Sequence, residues 1–244
     1  MKRLHVIVVI TLAMLGLLLA MVFVRGIRAR GGSLFTRIRG RATVANRLAQ
    51  YGPKARQALA PLFQAKGIPY PPGKLVLLGL KAEKRLEVYG TDESGQFRFI
   101  SSYPILAASG TPGPKLREGD RQVPEGLYRI ESLHPNSLFH LALRLNYPNE
   151  FDRRQAQRDG MTNLGGDIMI HGSTASVGCL AMGDAAIEEL FVLAADTGID
   201  NVSVILCPVD FRAADVPGDG QGQPAWVREL YEALRTELRK LPKE

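Results

Sequence analysis

The chain has 244 residues, 45% of them apolar, which suffices for one medium domain with a real core plus appended segments. Its formal charge of +7 invites a nucleic-acid reading, but no Asp or Glu precedes Glu83, and the first 82 residues hold 14 of the 31 Lys and Arg. The remainder sets 17 basic against 24 acidic residues, so the body of the chain is mildly acidic and a poor match for a phosphate backbone; no nucleic-acid partner is expected.

Taken in chain order, Lys2-Arg3 leads into "VIVVITLAMLGLLLAMVFV" from Val6 to Val24, which holds one polar side chain, Thr11, and no charge. That length fits a membrane span, and the bulky residues that follow give a signal peptidase no small-residue site. Residues 1–30 are therefore expected to be an uncleaved signal anchor. Basic residues flank both ends of the span, so the positive-inside rule gives no orientation. Residues 31–72 are expected to hold a basic tether and short helices. Arg37, Arg39, Arg41 and Arg47 suit either anionic lipid headgroups or plain solvent. Val44, Leu48 and Tyr51, then Ala55, Leu59, Leu62 and Phe63, recur at helical spacing; Gly52-Pro53 divides them into two short helices, and Pro61 kinks the second.

"GIPYPPG" at 67–73 breaks the helical pattern and opens the main domain, residues 73–213. Short apolar runs, "KLVLLGLKA" and "RLEVYG", predict strands, and "GTDESG" a hairpin turn before "FRFISSYPILAAS". "GTPGPKLREGDRQVPEG" (110–126) is a long Gly/Pro loop of the kind that is usually functional or mobile. "LYRIESL", "FHLALRLNYP" and "DIMIHG" read as further strands, with "NEFDRRQAQRDG" as a loop or short helix. "GDAAIEELFVLAADTG" predicts a helix capped by Asp184 and stopped by Gly198, and "VSVILCPVDF" a buried strand ending at Pro208. Residues 214–244 hold a flexible connector and an amphipathic helix whose stripe, Val227, Leu230, Leu234 and Leu238, packs on the domain. The fold expected is mainly β with helical additions, an α+β domain.

The chain's chemistry is concentrated in "IMIHGSTASVGCLAM", residues 168–182. His171 ends a strand, Gly172 frees the turn, and Cys179 follows Gly178 at the lead into a helix. A catalytic thiol needs a base, a field that favours thiolate, and backbone N–H groups aimed at the developing oxyanion. An imidazole and a helix N-terminus would serve the first two needs, while Gly178 lets the backbone approach a carbonyl. A buried thiol beside an incidental imidazole explains the same spacing. Cys207, inside an apolar strand, reads as a core thiol. A Cys179–Cys207 disulfide would consume the candidate nucleophile. His134 and His140 match no compact ligand spacing with His171 and Cys179, so no metal is expected. His140 reads as a strand residue that is satisfied or lines a groove.

"IHG….S.GC" resembles the active-site signature of the bacterial L,D-transpeptidases, cysteine enzymes that remodel peptidoglycan. The likeness runs from about Leu75 to Arg212 and includes "SGTPGPKLREGDRQVPEGLY"; within the family it is closest to the Gram-negative branch with "GPK…GD…PEG.Y", "YPN.(F)D" and "MIHG….S.GC.AM". The resemblance implies a β-sandwich-like domain with Cys179 as nucleophile, His171 as base and then acid, Gly178 and Cys179 as backbone donors to the oxyanion, and Ser176 beside the pair. Gly172, Lys115, Asp120, Glu125, Tyr147, Asn149 and Asp152 match the branch's motifs and are its candidate substrate contacts, although turn-forming roles explain them as well.

The activity implied is acyl transfer on diaminopimelate-containing stem peptides through a Cys179 thioester, without cofactor, by a periplasmic enzyme held at the inner membrane. The alternative is an amidase that uses the same pair to cleave a diaminopimelate-linked amide, such as a murein-to-lipoprotein link. Two features depart from the common family pattern: only seven residues separate His171 from Cys179, and Ala181 stands where an arginine is usual. Both bear on donor and acceptor choice.

Overall fold

The computed structural model describes residues 41–215 and 222–243. The apolar stretch 6–24 and its basic flanks up to Arg39 lie outside the described residues, as does part of the connector before the last helix. Among the described residues no helix is long and apolar enough to cross a membrane.

The first helix corrects the expected pair of short helices. α1 (Val44–Ala65) is one helix of 22 residues with Pro53 and Pro61 inside it. Thr43 starts it with a reciprocal cap: the Asn46 N–H donates to Thr43 Oγ1 at 3.1 Å, and the Thr43 N–H to Asn46 Oδ1 at 2.9 Å. A proline in a helix interior costs about 3 kcal/mol. Gly52 lowers that cost at Pro53, because the clash that drives a pre-proline residue out of the helical region involves a Cβ that Gly52 lacks. Tertiary packing supplies the rest. Ala55, Leu59 and Phe63 line one buried face, and burial of Leu59 and Phe63 contributes about 1.5–3 kcal/mol each. Arg56 also grips Asp196 with two hydrogen bonds of 2.8 and 2.7 Å. The helix shares one core with the strands, and Ile68 of the connector is buried in it too.

Among the described residues, nine strands form one hydrogen-bonded order. They are β1 (Leu75–Leu80), β2 (Arg85–Thr91), β3 (Phe97–Pro104), β4 (Ala107–Ala108), β5 (Gly126–Ser137), β6 (His140–Leu145), β7 (Met169–His171), β8 (Leu180–Ala181) and β9 (Val202–Cys207). The order is β3-β2-β1-β9-β5-β6-β7-β8-β4. The sandwich-like arrangement expected is thus a single continuous sheet, because β5 belongs to both halves. Its first residues, Gly126 to Arg129, pair with β9, and the rest pairs with β6 through two irregularities that bend the strand. The pairs β1–β9 and β7–β8 are parallel.

β1 is buried at every position, and its two faces serve different cores. Leu75 and Leu77 join α1 and the β7–β8 half through Ile170 and Leu180. Val76, Leu78 and Leu80 instead meet α4 (Val227–Leu238), whose Val227, Leu230, Leu234 and Leu238 are all buried, as the apolar stripe predicts. The charged stretch after "NYP" is the helix α2 (Glu150–Arg158). α3 (Asp184–Thr197) ends at Gly198 with φ 82°, as predicted, but Gly183 occupies its N-cap. The Asp184 carboxylate is spent elsewhere, on the Ser173 N–H at 2.8 Å. Helices and strands contribute comparable lengths, so the fold is mixed α+β rather than mainly β.

Candidate functional site

Strand register brings the histidine and the cysteine together. His171 lies opposite Ala181 and Ile170 opposite Leu180 in the parallel β7–β8 pair. Extended by one residue, the register sets Cys179 beside Met169, two positions from His171 along the neighbouring strand. Residues two apart in a strand point to one face, so the two side chains share a face as diagonal neighbours. The turn between them is packed tightly. A Cβ on Gly172 would stand 2.6 Å from Asp184 Oδ1 and 2.7 Å from the Phe139 carbonyl oxygen, so only glycine fits. Gly172 therefore closes the turn against the protein interior.

The tautomer of His171 follows from its neighbour. Its Nδ1 lies 2.6 Å from the Gly172 carbonyl oxygen, which can only accept, so Nδ1 carries the proton and Nε2 keeps a free lone pair. The ring is 1% exposed as a residue and stacks on Phe139, with centroids 4.5 Å apart at 26°. Burial lowers its pKa from the ordinary 6.5, against the opposing pull of the Gly172 carbonyl. The imidazole is thus a neutral base at neutral pH.

Cys179 is half-buried and unoxidised, with Sγ 3.6 Å from the Asp167 carbonyl oxygen. Burial raises its pKa; the Met169 backbone amide lowers it, Asp167 raises it and Lys115 lowers it. The field expected to favour thiolate is reversed here. The reason is positional: β8 intervenes before α3, so Cys179 does not open a helix, and the imidazole beside it is uncharged. The resting pair is thiol and imidazole, which calls for proton transfer during attack rather than a standing ion pair.

The loop backbone also departs from expectation. The Cys179 N–H donates to Ser176 Oγ at 3.1 Å, and the Ser176 hydroxyl donates back to the Cys179 carbonyl. Ser176 therefore clamps the cysteine backbone, not the histidine. Gly178, at φ 90°, donates its N–H to Ser109 Oγ at 2.6 Å. Both amides expected to face an oxyanion are occupied.

The other sequence candidates bond within loops, caps and neighbouring elements. Lys115 pairs with Asp120 at 2.6 Å, and Asp120 also accepts from the Leu116, Arg117 and Gln122 amides at 2.9–3.0 Å. Glu125, 1% exposed, accepts from Lys81 Nζ at 2.8 Å, the Gly113 N–H at 2.7 Å and the Tyr231 hydroxyl at 2.9 Å. These bonds pin the long Gly/Pro loop, which is ordered rather than structureless. Tyr147 is buried; its hydroxyl sits 3.4 Å from the Leu164 carbonyl oxygen. Asn149 caps α2 in a reciprocal box with Asp152, which also takes the Tyr128 hydroxyl at 3.2 Å. Burial raises the Asp152 pKa to about 6. The polar atoms of all six thus hold loops and caps, the turn-fixing role that the sequence also allows. Lys115 alone also reaches Cys179, electrostatically.

His134, His140 and Cys207 each have a setting of their own. His134 bonds Ser132 at 3.1 Å, His140 bonds Glu188 at 2.9 Å, and Cys207 is a free, fully buried core thiol. Among the described residues no group of His, Cys, Asp and Glu is arranged to hold a metal. Sequence reasoning missed Ser109, Phe139 and Lys81. They come from a loop, a hairpin tip and a strand end, 40 to 98 residues from Cys179, and carry no local motif.

Comparison with known proteins finds relatives of the chain. YafK of Escherichia coli (strain K12), whose name assigns it to the L,D-transpeptidases, is 34% identical over 140 residues, covering 55% of this chain and 53% of that protein. The chain spans about half the length of the curated relatives it matches. Among solved structures, the helical cell shape determining protein Pgp2 from Campylobacter jejuni is 28% identical, with TM-score 0.45 over 55% of this chain and 47% of that one. Bdellovibrio bacteriovorus Bd1075 is 24% identical, with TM-score 0.41 over 56% and 48%. The pattern of the YkuD family, the L,D-transpeptidase catalytic domain, matches residues 76–205, more than half of the chain, and the chain belongs to this family of enzymes.

Proposed function

We propose that the chain is a peptidoglycan L,D-transpeptidase-type cysteine acyltransferase that acts on diaminopimelate-containing stem peptides. One observation carries the reading: in an L,D-transpeptidase domain, a half-exposed thiol shares a strand face with a histidine whose Nδ1 proton is committed to Gly172, leaving Nε2 as base. Cys179 Sγ attacks the carbonyl of the stem amide, the thiol proton passes to His171 Nε2, and a C–S bond forms. The C–N bond then breaks, and His171 returns the proton to the departing amine, leaving a thioester. An incoming amine resolves that thioester and restores the thiol. The pair needs no cofactor for these steps. The substrate calls for a periplasmic domain, anchored at the inner membrane through residues 1–30.

Mixing the protein with tetrapeptide muropeptides and trapping Cys179 as an acyl adduct in intact-mass spectra tests the reading; no adduct on any murein stem would overturn it. The same thioester opened by water would release a peptide or a murein-linked lipoprotein. Chromatography of the products separates the two outcomes: cross-linked dimers mark the transferase, and released peptide without dimers marks the amidase.

A further inference from the structure

We propose that the Ser109 hydroxyl is the donor that stabilises the tetrahedral oxyanion formed at Cys179. The inference rests on the acyl-transfer reading above and adds a catalytic residue to it. Ala107 and Ala108 of β4 pair antiparallel with Ala181 and Leu180 of β8. Extended by one residue, that register sets Ser109 directly opposite Cys179. Side chains of directly opposed residues emerge on one face, with Cα atoms about 4.5–5.5 Å apart. Cys179 therefore lies between Met169 on one neighbouring strand and Ser109 on the other, with His171 diagonal to it on the Met169 side.

The hydrogen bonds favour the same residue. A developing alkoxide needs donors, yet the Cys179 N–H is spent on Ser176 and the Gly178 N–H on Ser109. Ser176 returns its own proton to the Cys179 carbonyl, so that pair is closed. Ser109 differs. Its oxygen accepts from Gly178 at 2.6 Å, its carbonyl is held by the Val123 N–H at 3.3 Å, and its hydroxyl proton has no acceptor among the described residues. The side chain is half-buried, hence fixed but reachable. An N–H donating into a hydroxyl polarises it and makes it a better donor in turn. The relay Gly178 N–H to Ser109 O–H to oxyanion thus extends a backbone donor by one side chain. No covalent bond to Ser109 forms: as Sγ bonds the carbonyl carbon, the C=O electron pair moves onto oxygen, the thiol proton goes to His171, and Ser109 supplies a hydrogen bond until the carbonyl reforms.

The test contrasts two reactions of the same thiol in the full-length protein. Acylation of Cys179 by p-nitrophenyl acetate passes through a tetrahedral oxyanion; alkylation by iodoacetamide does not. Ser109→Ala is expected to slow acylation about 10²-fold, the effect of deleting one oxyanion donor, and to leave the alkylation rate as it is. Ser109→Thr keeps the hydroxyl and most of the acylation rate, while Ser109→Cys keeps the volume but slows acylation. The proposal is overturned if Ser109→Ala acylates as fast as or faster than the parent, which makes Ser109 a plug on Gly178, or if both reactions slow equally, which makes it a purely structural residue. Both probes are independent of murein, so failure of the muropeptide reading would leave this result standing.

Discussion

The surroundings of the two cysteines show how one residue type is made into two different things. Cys207 lies inside β9, hydrogen-bonded between β1 and β5, fully buried beneath α4. Burial drives its pKa well above the ordinary thiol value, and Glu125 and Asp210 push it further. Cys179 lies one residue before β8, where the chain enters the sheet, and it stays half-buried. Burial raises its pKa as well, but the Met169 amide and Lys115 pull against the rise. Both strands sit in parallel pairs. What separates the thiols is the strand end: it exposes the sulfur, brings a base to a diagonal position and leaves loop hydroxyls nearby. The region around Cys207 holds the fold, and the region around Cys179 is proposed to do the chemistry.

The largest effect that could break this contrast is total loss. Cys179→Ala is expected to abolish acyl-adduct formation with unchanged circular dichroism, and residual adduct on any other residue would refute the assignment. His171→Gln should lower acylation 10²- to 10⁴-fold, the contribution of a general base. In the parent, the acid limb of the pH–rate profile should fall below pH 6.5, because burial favours the neutral imidazole. The same shift has a sign for stability. The unfolded chain takes up this proton first, so the contribution is whole above pH 6.5 and is lost as pH falls below it.

On the other side, Glu125→Gln strands the buried Lys81 ammonium and should cost about 3–5 kcal/mol in denaturant melts. Its Cys179 alkylation rate, measured while the protein is still folded, should change far less than its stability. Cys207→Ala, which removes one buried heavy atom, is expected to cost about 0.5–1.5 kcal/mol and to leave acylation untouched. The smallest effect sharpens the contrast at the site itself. Phe139→Ala removes a stacked ring worth about 1 kcal/mol, and a drop of several-fold in acylation with little change in melting temperature is expected. A larger stability loss than rate loss would place Phe139 with the scaffold.

Much of the site was legible because it is local. "IMIHGSTASVGC" carries strand, turn and strand entry within a dozen residues and names His171 and Cys179 as a candidate pair; the β7–β8 register then sets them on one face. Conformational punctuation at Gly198 and the apolar stripe of the last helix were equally readable. Two features not readable from the sequence trace to long-range packing. A Gly-Pro pair that reads as a break stays helical in α1 because its buried face and the Arg56–Asp196 pair outweigh the local cost. The motif residues from Lys115 to Asp152 looked equally suited to substrate or scaffold. Only the fold shows their bonds to one another and to residues as distant as Tyr231.

The sequence by itself determined which residues carry reactive groups, where the chain turns, and which family the pattern belongs to, because these rest on residue type and short spacing. The tertiary structure alone decided the protonation of the pair and the partners of the amides. Burial, carbonyl direction and strand order fix those quantities, and strand order brings Ser109 beside Cys179 across 70 residues of chain.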